Sequence, residues 1–364
     1  MSFQKILLWG WFGFENLGDD LLLDTMIRSL NSPERMITVP MQTEYTIKEA
    51  NVKQMPRDYK ELLKGVLYND VLIIGPGGLF PFDNPKKIML YFLIVLLWKL
   101  RGRKVAFFGI GISKQLSKIS RHLWKVIARL SDLFITRSPG VIETIGLTES
   151  PKIYTMADTV FASDMEFVES ECADKIGIFA ANLKQPGMDD AYKVFVKTWQ
   201  EIVSAILDRG FCVDLIAFTK NTDDQLIENI ASAFSERGGV CVVRYENSLD
   251  EVKRLPQYRI TVSMRFHALV LSLLAGVPSV PIAYGQKTYS LAAKSGLSEY
   301  VMIWNSFQKE YYGYVKDLSA DEIVQKIDQI LSNYDDVRNV MRVRTDKLKK
   351  SARAAMKQLL ELIS

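Results

Sequence analysis

The apolar and polar pattern is sharpest between Arg259 and Lys287. Residues 259–263 alternate like a short buried strand, residues 264–275 read as a helix with an almost wholly apolar body, and residues 280–283 read as another strand. Gly276 and Pro278 stand where a helix should stop. Strand, helix and strand in this order predict a parallel βαβ unit. Arg265 and His267 fall where the strand hands over to the helix, and the carboxyl ends of strands are where open α/β sheets bind ligands.

The same rhythm runs along the chain. Strands are predicted at residues 6–9, 36–40, 71–74, 104–108 and 133–136, with helices at 21–30, 57–67, 88–98 and 119–130 between them. Glycine-rich or polar loops follow the strands: Gly10 to Asp20, Gly75-Pro76-Gly77-Gly78 with Asp83 beyond, Gly109 to Ile112, and Arg137-Ser138. These loops leave the same strand ends, as expected of a doubly wound sheet. The first of them fits a structural turn and a ligand loop equally well. Asn16, Asp19 and Asp20 could cap the following helix or face a ligand.

The rhythm lapses across an acidic stretch holding Asp158, Asp164, Glu166, Glu169, Glu171 and Asp174, and then resumes. Strands are expected at residues 175–181, 211–218 and 240–244, and helices at 191–208, 222–237 and 248–255. The expected organisation is an N-terminal α/β domain over residues 1–170, a second over 171–334, and a basic terminal helix over 335–364. The fold class expected is α/β, with two doubly wound parallel-sheet (Rossmann-like) domains facing a cleft, as in glycosyltransferase-B architectures.

Length and composition change little. The chain has 364 residues, 48% hydrophobic and 24% charged, with a net charge of +4. That is ordinary for a globular protein and supports no nucleic-acid partner. Cys172, Cys212 and Cys241 lack metal or CxxC spacing and read as reduced, mostly buried thiols. The N-terminus reads as no signal peptide, since Gly10 and Gly13 break its apolar run. The expected location is cytoplasmic. The apolar run at residues 88–98 is too short to span a bilayer and reads first as a buried helix. Its flanks (Lys86, Lys87, Lys99, Arg101, Arg103, Lys104) leave room for peripheral contact with the inner face of the cytoplasmic membrane. The basic terminal helix reads as a solvated face, or as contact with an anionic partner. His122 reads as a surface or half-buried residue without a role.

The chain resembles the polysaccharide pyruvyl transferases, bacterial enzymes that place pyruvate ketals on cell-surface sugars. The resemblance runs from about Leu8 to Leu297. It is carried by Gly13 with Asn16-Leu17-Gly18-Asp19-Asp20, by Gly75-Pro76-Gly77-Gly78 with Asp83, by Gly109-Ile110-Gly111-Ile112, by Arg137-Ser138 and by Ala157-Asp158. Ser263-Met264-Arg265-Phe266-His267-Ala268, Ala275-Gly276-Val277-Pro278 and Tyr284 to Lys287 complete it. Pro76 among the glycines and Ser113-Lys114 after the third motif depart from the family's usual pattern.

The resemblance implies phosphoenolpyruvate as donor, a sugar or lipid-linked oligosaccharide with two bridgeable hydroxyls as acceptor, and neither cofactor nor metal. A donor with a phosphate and a carboxylate suits Arg137, Arg265 and Lys287. His267 suits general acid–base work; its plainer reading is a core histidine satisfied by the turn. Asn16, Asp19, Asp20, Gly77, Gly78 and Asp83 are assigned to the acceptor side or its loops. Two alternatives remain: a nucleotide-sugar glycosyltransferase, and a non-catalytic glycan-binding relative. Many of the former hold the ribose with a Glu of the C-terminal domain, and only Ala, Leu, Val and Ser lie between His267 and Gly276. The presence of both Arg265 and His267 counts against the latter.

Overall fold

The computed structural model describes residues 3–43, 49, 51–168, 174–184, 187, 189–244, 249–303 and 318–364. The chain forms two compact units. The first comprises Met1–Glu15, Asp19–Asp164 and Leu348–Ser364; the second comprises Asn16–Gly18 and Met165–Lys347. Among the described residues no helix is long and apolar enough to cross a membrane.

In the first unit β1 (Gln4–Trp9) leads to α1 (Leu17–Leu30), β2 (Arg35–Met41), β3 (Val52–Pro56), α2 (Tyr59–Tyr68), β4 (Val71–Ile74) and β5 (Gly77–Phe80). Then come α3 (Pro85–Leu100), β6 (Lys104–Ile112), α4 (Lys118–Leu130), β7 (Leu133–Thr136), α5 (Val141–Thr144) and β8 (Ile153–Thr155). The strands pair in the order β3-β2-β1-β4-β6-β7-β8, with β5 beside β6. All pairs are parallel. The order reverses between β1 and β4, where such a sheet opens a crevice at its carboxyl edge. β4 is the unbroken run Val-Leu-Ile-Ile, buried throughout, because helices cover both faces of a parallel sheet. α3 begins with Pro85, and the Asn84 side chain accepts from the Lys87 amide at 3.0 Å. The core under α3 and α4 centres on Trp124. Its ring meets Phe80 edge-on at 4.7 Å, Phe107 at 5.9 Å and Phe134 at 6.1 Å.

The second unit continues with β9 (Lys175–Phe179), α6 (Asp189–Leu207), β10 (Cys212–Ile216), α7 (Asp223–Ala231), β11 (Val240–Val243) and α8 (Asp250–Lys253). β12 (Ile260–Ser263), α9 (Phe266–Ala275), β13 (Ser279–Ala283), α10 (Gln286–Lys294), β14 (Met302–Ile303), α11 (Ala320–Ser332) and α12 (Tyr334–Ile363) follow, the residues of α12 from Leu348 on belonging to the first unit. The strands pair in the order β11-β10-β9-β12-β13-β14, all parallel. This is the doubly wound order of a dinucleotide-binding sheet, and its reversal falls between β9 and β12. Both units are therefore α/β with a parallel, Rossmann-like sheet.

Several expectations need correction. The glycine run after β4 is not only a loop: Gly77–Phe80 forms β5 against β6. β6 runs on to Ile112, through the third motif. α1 starts at Leu17, so Asp19 and Asp20 lie inside its first turn rather than capping it. β3, α5, β8, α10 and β14 have no counterpart in the sequence reading. Cys212 and Cys241 are exposed free thiols, not buried ones. Cys241 sits on the edge strand β11 and Cys212 is the first residue of β10. Cys172, Glu169 and Glu171 lie outside the described residues.

The Trp124 cluster sets a stability test. Replacing a large buried aromatic by alanine leaves a cavity and costs about 3–5 kcal/mol. Trp124→Ala should lower the unfolding free energy by about that amount in urea titration. A loss below about 1 kcal/mol would mean that the ring is not the centre of this core.

Candidate functional site

In the second unit the decisive segment is the turn from β12 into α9. Arg265 precedes the helix with extended backbone, and His267 lies in its first turn. Beneath them runs a chain of buried hydroxyls. Ser279 donates to Ser263 at 2.9 Å, Ser263 to Thr261 at 3.4 Å, and Thr261 and Ser272 lie 2.8 Å apart. Ser272 donates to the Ala268 carbonyl, which fixes the direction of the chain: Thr261 donates to Ser272. Each hydroxyl is thus satisfied without water, and β12, β13 and α9 are tied together below the turn.

Arg265 is held from one side. Its Nε donates to Asp223 Oδ2 at 3.0 Å and its Nη2 donates to Asp223 Oδ1. Asp223 is fully buried. Its carboxylate also accepts from the backbone amides of Asn182 at 3.0 Å, Phe218 at 3.2 Å and Thr219 at 3.0 Å. A buried charge persists only when paired and hydrogen-bonded, and this one is both. The sequence reading missed Asp223. It sits in the first turn of α7, where an acidic residue already has an explanation in the helix dipole.

His267 is half-buried, with the Phe266 ring edge-on at 5.1 Å. Its closest constraint is Gly18. A Cβ added at Gly18 would stand 2.1 Å from His267 Nδ1 and 2.9 Å from its Cγ. The glycine backbone therefore lies against the imidazole. Asn16 holds that backbone in place: its Oδ1 accepts from the Gly18 amide at 2.9 Å and its Nδ2 donates to Thr219 Oγ1 at 3.3 Å. The Leu17 amide donates to the Phe218 carbonyl at 3.0 Å. So Asn16 and Gly18 follow the same loop after β10 whose amides serve Asp223. Lys287 is exposed in the first turn of α10, with its Nζ 5.3 Å from the Phe266 ring centre. The second unit thus gathers Asn16, Arg265, His267 and Lys287.

The first unit gathers Asp19, Gly77, Gly78 and Arg137. Gly77 has φ +122, which L side chains rarely adopt, and its added Cβ would lie 3.9 Å from Asp19 Oδ1. An added Cβ at Gly78 would lie 3.6 Å from Arg137 Nη2. Arg137 follows β7 and pairs with the buried Asp158. Asp158 in turn accepts from the Val160 amide at 3.1 Å, so the same carboxylate caps a short turn of helix and aims the guanidinium. Asp158, too, was not singled out as a site residue from the sequence. Asp20 is buried in α1, while Asp19 is half-buried.

Asp83 has a structural task instead. Its Oδ2 accepts from the Ser117 amide at 2.9 Å, at the start of α4. Burial pushes this carboxyl upward, but hydrogen bonds from Ser120 and Ser117 outweigh it and hold the group below its ordinary value. Among the described residues no His, Cys, Asp and Glu side chains gather so as to hold a metal ion.

The sequence profile described as "Polysaccharide pyruvyl transferase" matches residues 16–286, a span that holds Asn16, Asp19, Gly77, Gly78, Arg137, Arg265 and His267 and ends one residue before Lys287. The chain belongs to that family. No curated protein sequence matches it. Solved structures of similar fold include the UDP-GlcNAc 2-epimerase of Neisseria meningitidis bound to UDP-GlcNAc (TM-score 0.58, 12% identity, 98% of this chain and 100% of that one). HepE from Anabaena in complex with UDP-glucose is similar too (TM-score 0.59, 10% identity, 98% and 99%). So is CalG4, the calicheamicin glycosyltransferase (TM-score 0.57, 11% identity, 100% and 98%). At these identities the likeness is one of fold, the glycosyltransferase-B-like architecture of two parallel-sheet domains.

Two tests follow from the geometry. Gly18→Ala must push the imidazole aside. The chain has two histidines, so NMR of the imidazole carbons resolves both. His267 should move while His122, exposed on α4, stays; an unmoved His267 resonance would refute the contact. Asp83 has a lowered folded pKa, so its contribution to stability is present above the ordinary aspartate range, near 3.9, and is lost as pH falls through the lower folded value. Asp83→Asn should therefore weaken the fold at pH 7, with the difference from the parent shrinking toward strong acid in urea titrations. A difference that does not change with pH would refute the assignment.

Proposed function

We propose that this chain transfers the pyruvyl group of phosphoenolpyruvate to a sugar of a cell-surface polysaccharide or its precursor, forming a pyruvate ketal. The observation that carries the reading is the β12–α9 turn of a family member. There, within three residues, stand a guanidinium fixed by a buried carboxylate and an imidazole packed against a glycine backbone. A fixed fork suits a carboxylate or phosphate, and the amino end of α9 adds its dipole. Lys287, beside Phe266, supplies a second cation of the point-charge kind.

In the proposed chemistry, the methylene carbon of the donor takes a proton and the adjacent carbon becomes oxocarbenium-like. One sugar hydroxyl bonds to that carbon, the C–O bond to phosphate breaks, and a second hydroxyl closes the ring. Of the two hydroxyl protons released, one balances that on the new methyl group and the other leaves with phosphate. His267 is assigned the proton transfers, a role typically worth roughly 10²–10⁴-fold in rate. Arg265 and Lys287 are assigned to the donor. Arg137, aimed by Asp158 in the first unit, is the further cation assigned to it. Asn16, Asp19, Asp20, Gly77 and Gly78 are assigned to the acceptor side or to shaping its loops.

The first experiment is thermal stabilisation by millimolar phosphoenolpyruvate, beside UDP-sugars, GDP-sugars and NAD, since a ligand of the native state raises the melting point. A shift with phosphoenolpyruvate, reduced in Lys287→Ala and in Arg265→Lys, is expected. His267→Ala should keep that shift and lose roughly 10²–10⁴-fold in turnover. A shift with nucleotide sugars alone would replace this reading with the glycosyltransferase one.

A further inference from the structure

Helix α3 is apolar almost all round, yet the first unit buries only part of it. Ile88, Tyr91, Ile94, Val95 and Trp98 face the core. Met89, Leu93, Leu97 and Leu100 remain 41%, 47%, 45% and 75% exposed. Steps of four, four and three residues put these four on one stripe of the helix. The neighbouring helix α2 packs against α3 and leaves Leu63, Leu67 and Tyr68 exposed as well. Scattered exposed leucines are normal in a soluble protein, but a helix-long stripe with a second apolar helix beside it marks an interaction surface.

The charge around the stripe says what it meets. No Asp or Glu occurs between Asp83 and Asp132, while basic residues recur throughout that segment. Lys86 and Arg101 stand exposed at the two ends of α3, and Lys118, Arg121 and Arg129 stand exposed on α4, which packs along it. Three acids that border the region are taken up in ion pairs, Glu61 with Lys64, Asp70 with Arg103 and Asp132 with Lys99, while Asp58 accepts from the Lys60 amide and Asp83 from the Ser117 amide. Two copies meeting through this face would bring like charges together. A bilayer with anionic headgroups offers the complementary charge and an apolar layer at the right depth.

We propose that the α2–α3 face of the first unit docks on an anionic membrane surface, with the Met89–Leu100 stripe sunk among the headgroups and the basic residues of α3 and α4 on the lipid phosphates. α3 lies in the plane of the interface and does not cross the bilayer. The inference does not depend on the transferase chemistry.

The test is sedimentation of the full chain with vesicles of phosphatidylcholine alone or with a third phosphatidylglycerol. Binding is expected to the anionic vesicles, weak on the neutral ones and reduced by salt, as screened headgroup contacts require. Leu93→Gln/Leu97→Gln removes two exposed side chains, so the fold should keep its melting temperature while vesicle binding falls by about tenfold or more. Arg121→Gln/Arg129→Gln should weaken binding at low salt only. Failure of the parent chain to sediment with anionic vesicles would overturn the proposal, as would unchanged binding of the leucine variant. Self-association abolished by the leucine variant, without vesicle binding, would assign the face to a second copy instead. Phosphoenolpyruvate stabilisation measured on the same variants separates failure of the surface from failure of the site.

Discussion

One buried carboxylate organises the carboxyl edge of the second unit's sheet. Asp223 accepts from the amide of Asn182 beyond β9, from the amides of Phe218 and Thr219 beyond β10, and from Arg265 beyond β12. Three strands that neighbour one another in the sheet thus share a single ionic anchor at their carboxyl ends. An isolated buried carboxylate is costly, whereas this one has both oxygens hydrogen-bonded and a cation beside it. The pairing has a cost in freedom: the guanidinium of Arg265 is held through Nε and Nη2 at once. That restriction is what turns a flexible cation into a directed one.

The first unit solves the same problem with other parts. Asp158 is buried, caps the turn that follows it, and pairs with Arg137. The guanidinium then lies over a floor of glycines. An added Cβ at Gly111 would stand 3.2 Å from Gly78 Cα and 3.6 Å from Arg137 Nε, so β5 and β6 approach closely enough that a side chain there would press the Gly78 backbone aside by a few tenths of an ångström. In both units a strand end supplies an arginine, and a carboxylate distant in sequence supplies its direction.

These details divide by how far they depend on tertiary contact. β4 and β7 were legible to the residue, because a short unbroken apolar run between polar neighbours has few other readings in a parallel sheet. Arg265 and His267 were legible because strand-to-helix punctuation places them at an edge without any knowledge of their partners. β5 was not legible, since Gly-Gly carries no strand preference and pairs only because β6 lies close. Asp223 was not legible either: its partner is 42 residues away, and locally it is one more acid at a helix start. Asn16 read as part of the first domain's loop, yet its contacts are with Thr219 and with the Gly18 amide beside His267. Sequence order assigns a residue to its neighbours in the chain; hydrogen bonds assigned this one elsewhere.

Gly18 has a consequence for how this chain can vary. It need carry no group that meets a substrate, yet the room beside Nδ1 of His267 exists only because position 18 has no side chain. A mutational scan would therefore score position 18 as intolerant in the manner of a reactive residue, and its tolerance would depend on what occupies position 267. The pair should behave as one epistatic unit, with a larger residue at 18 easier to admit once the imidazole has been given up.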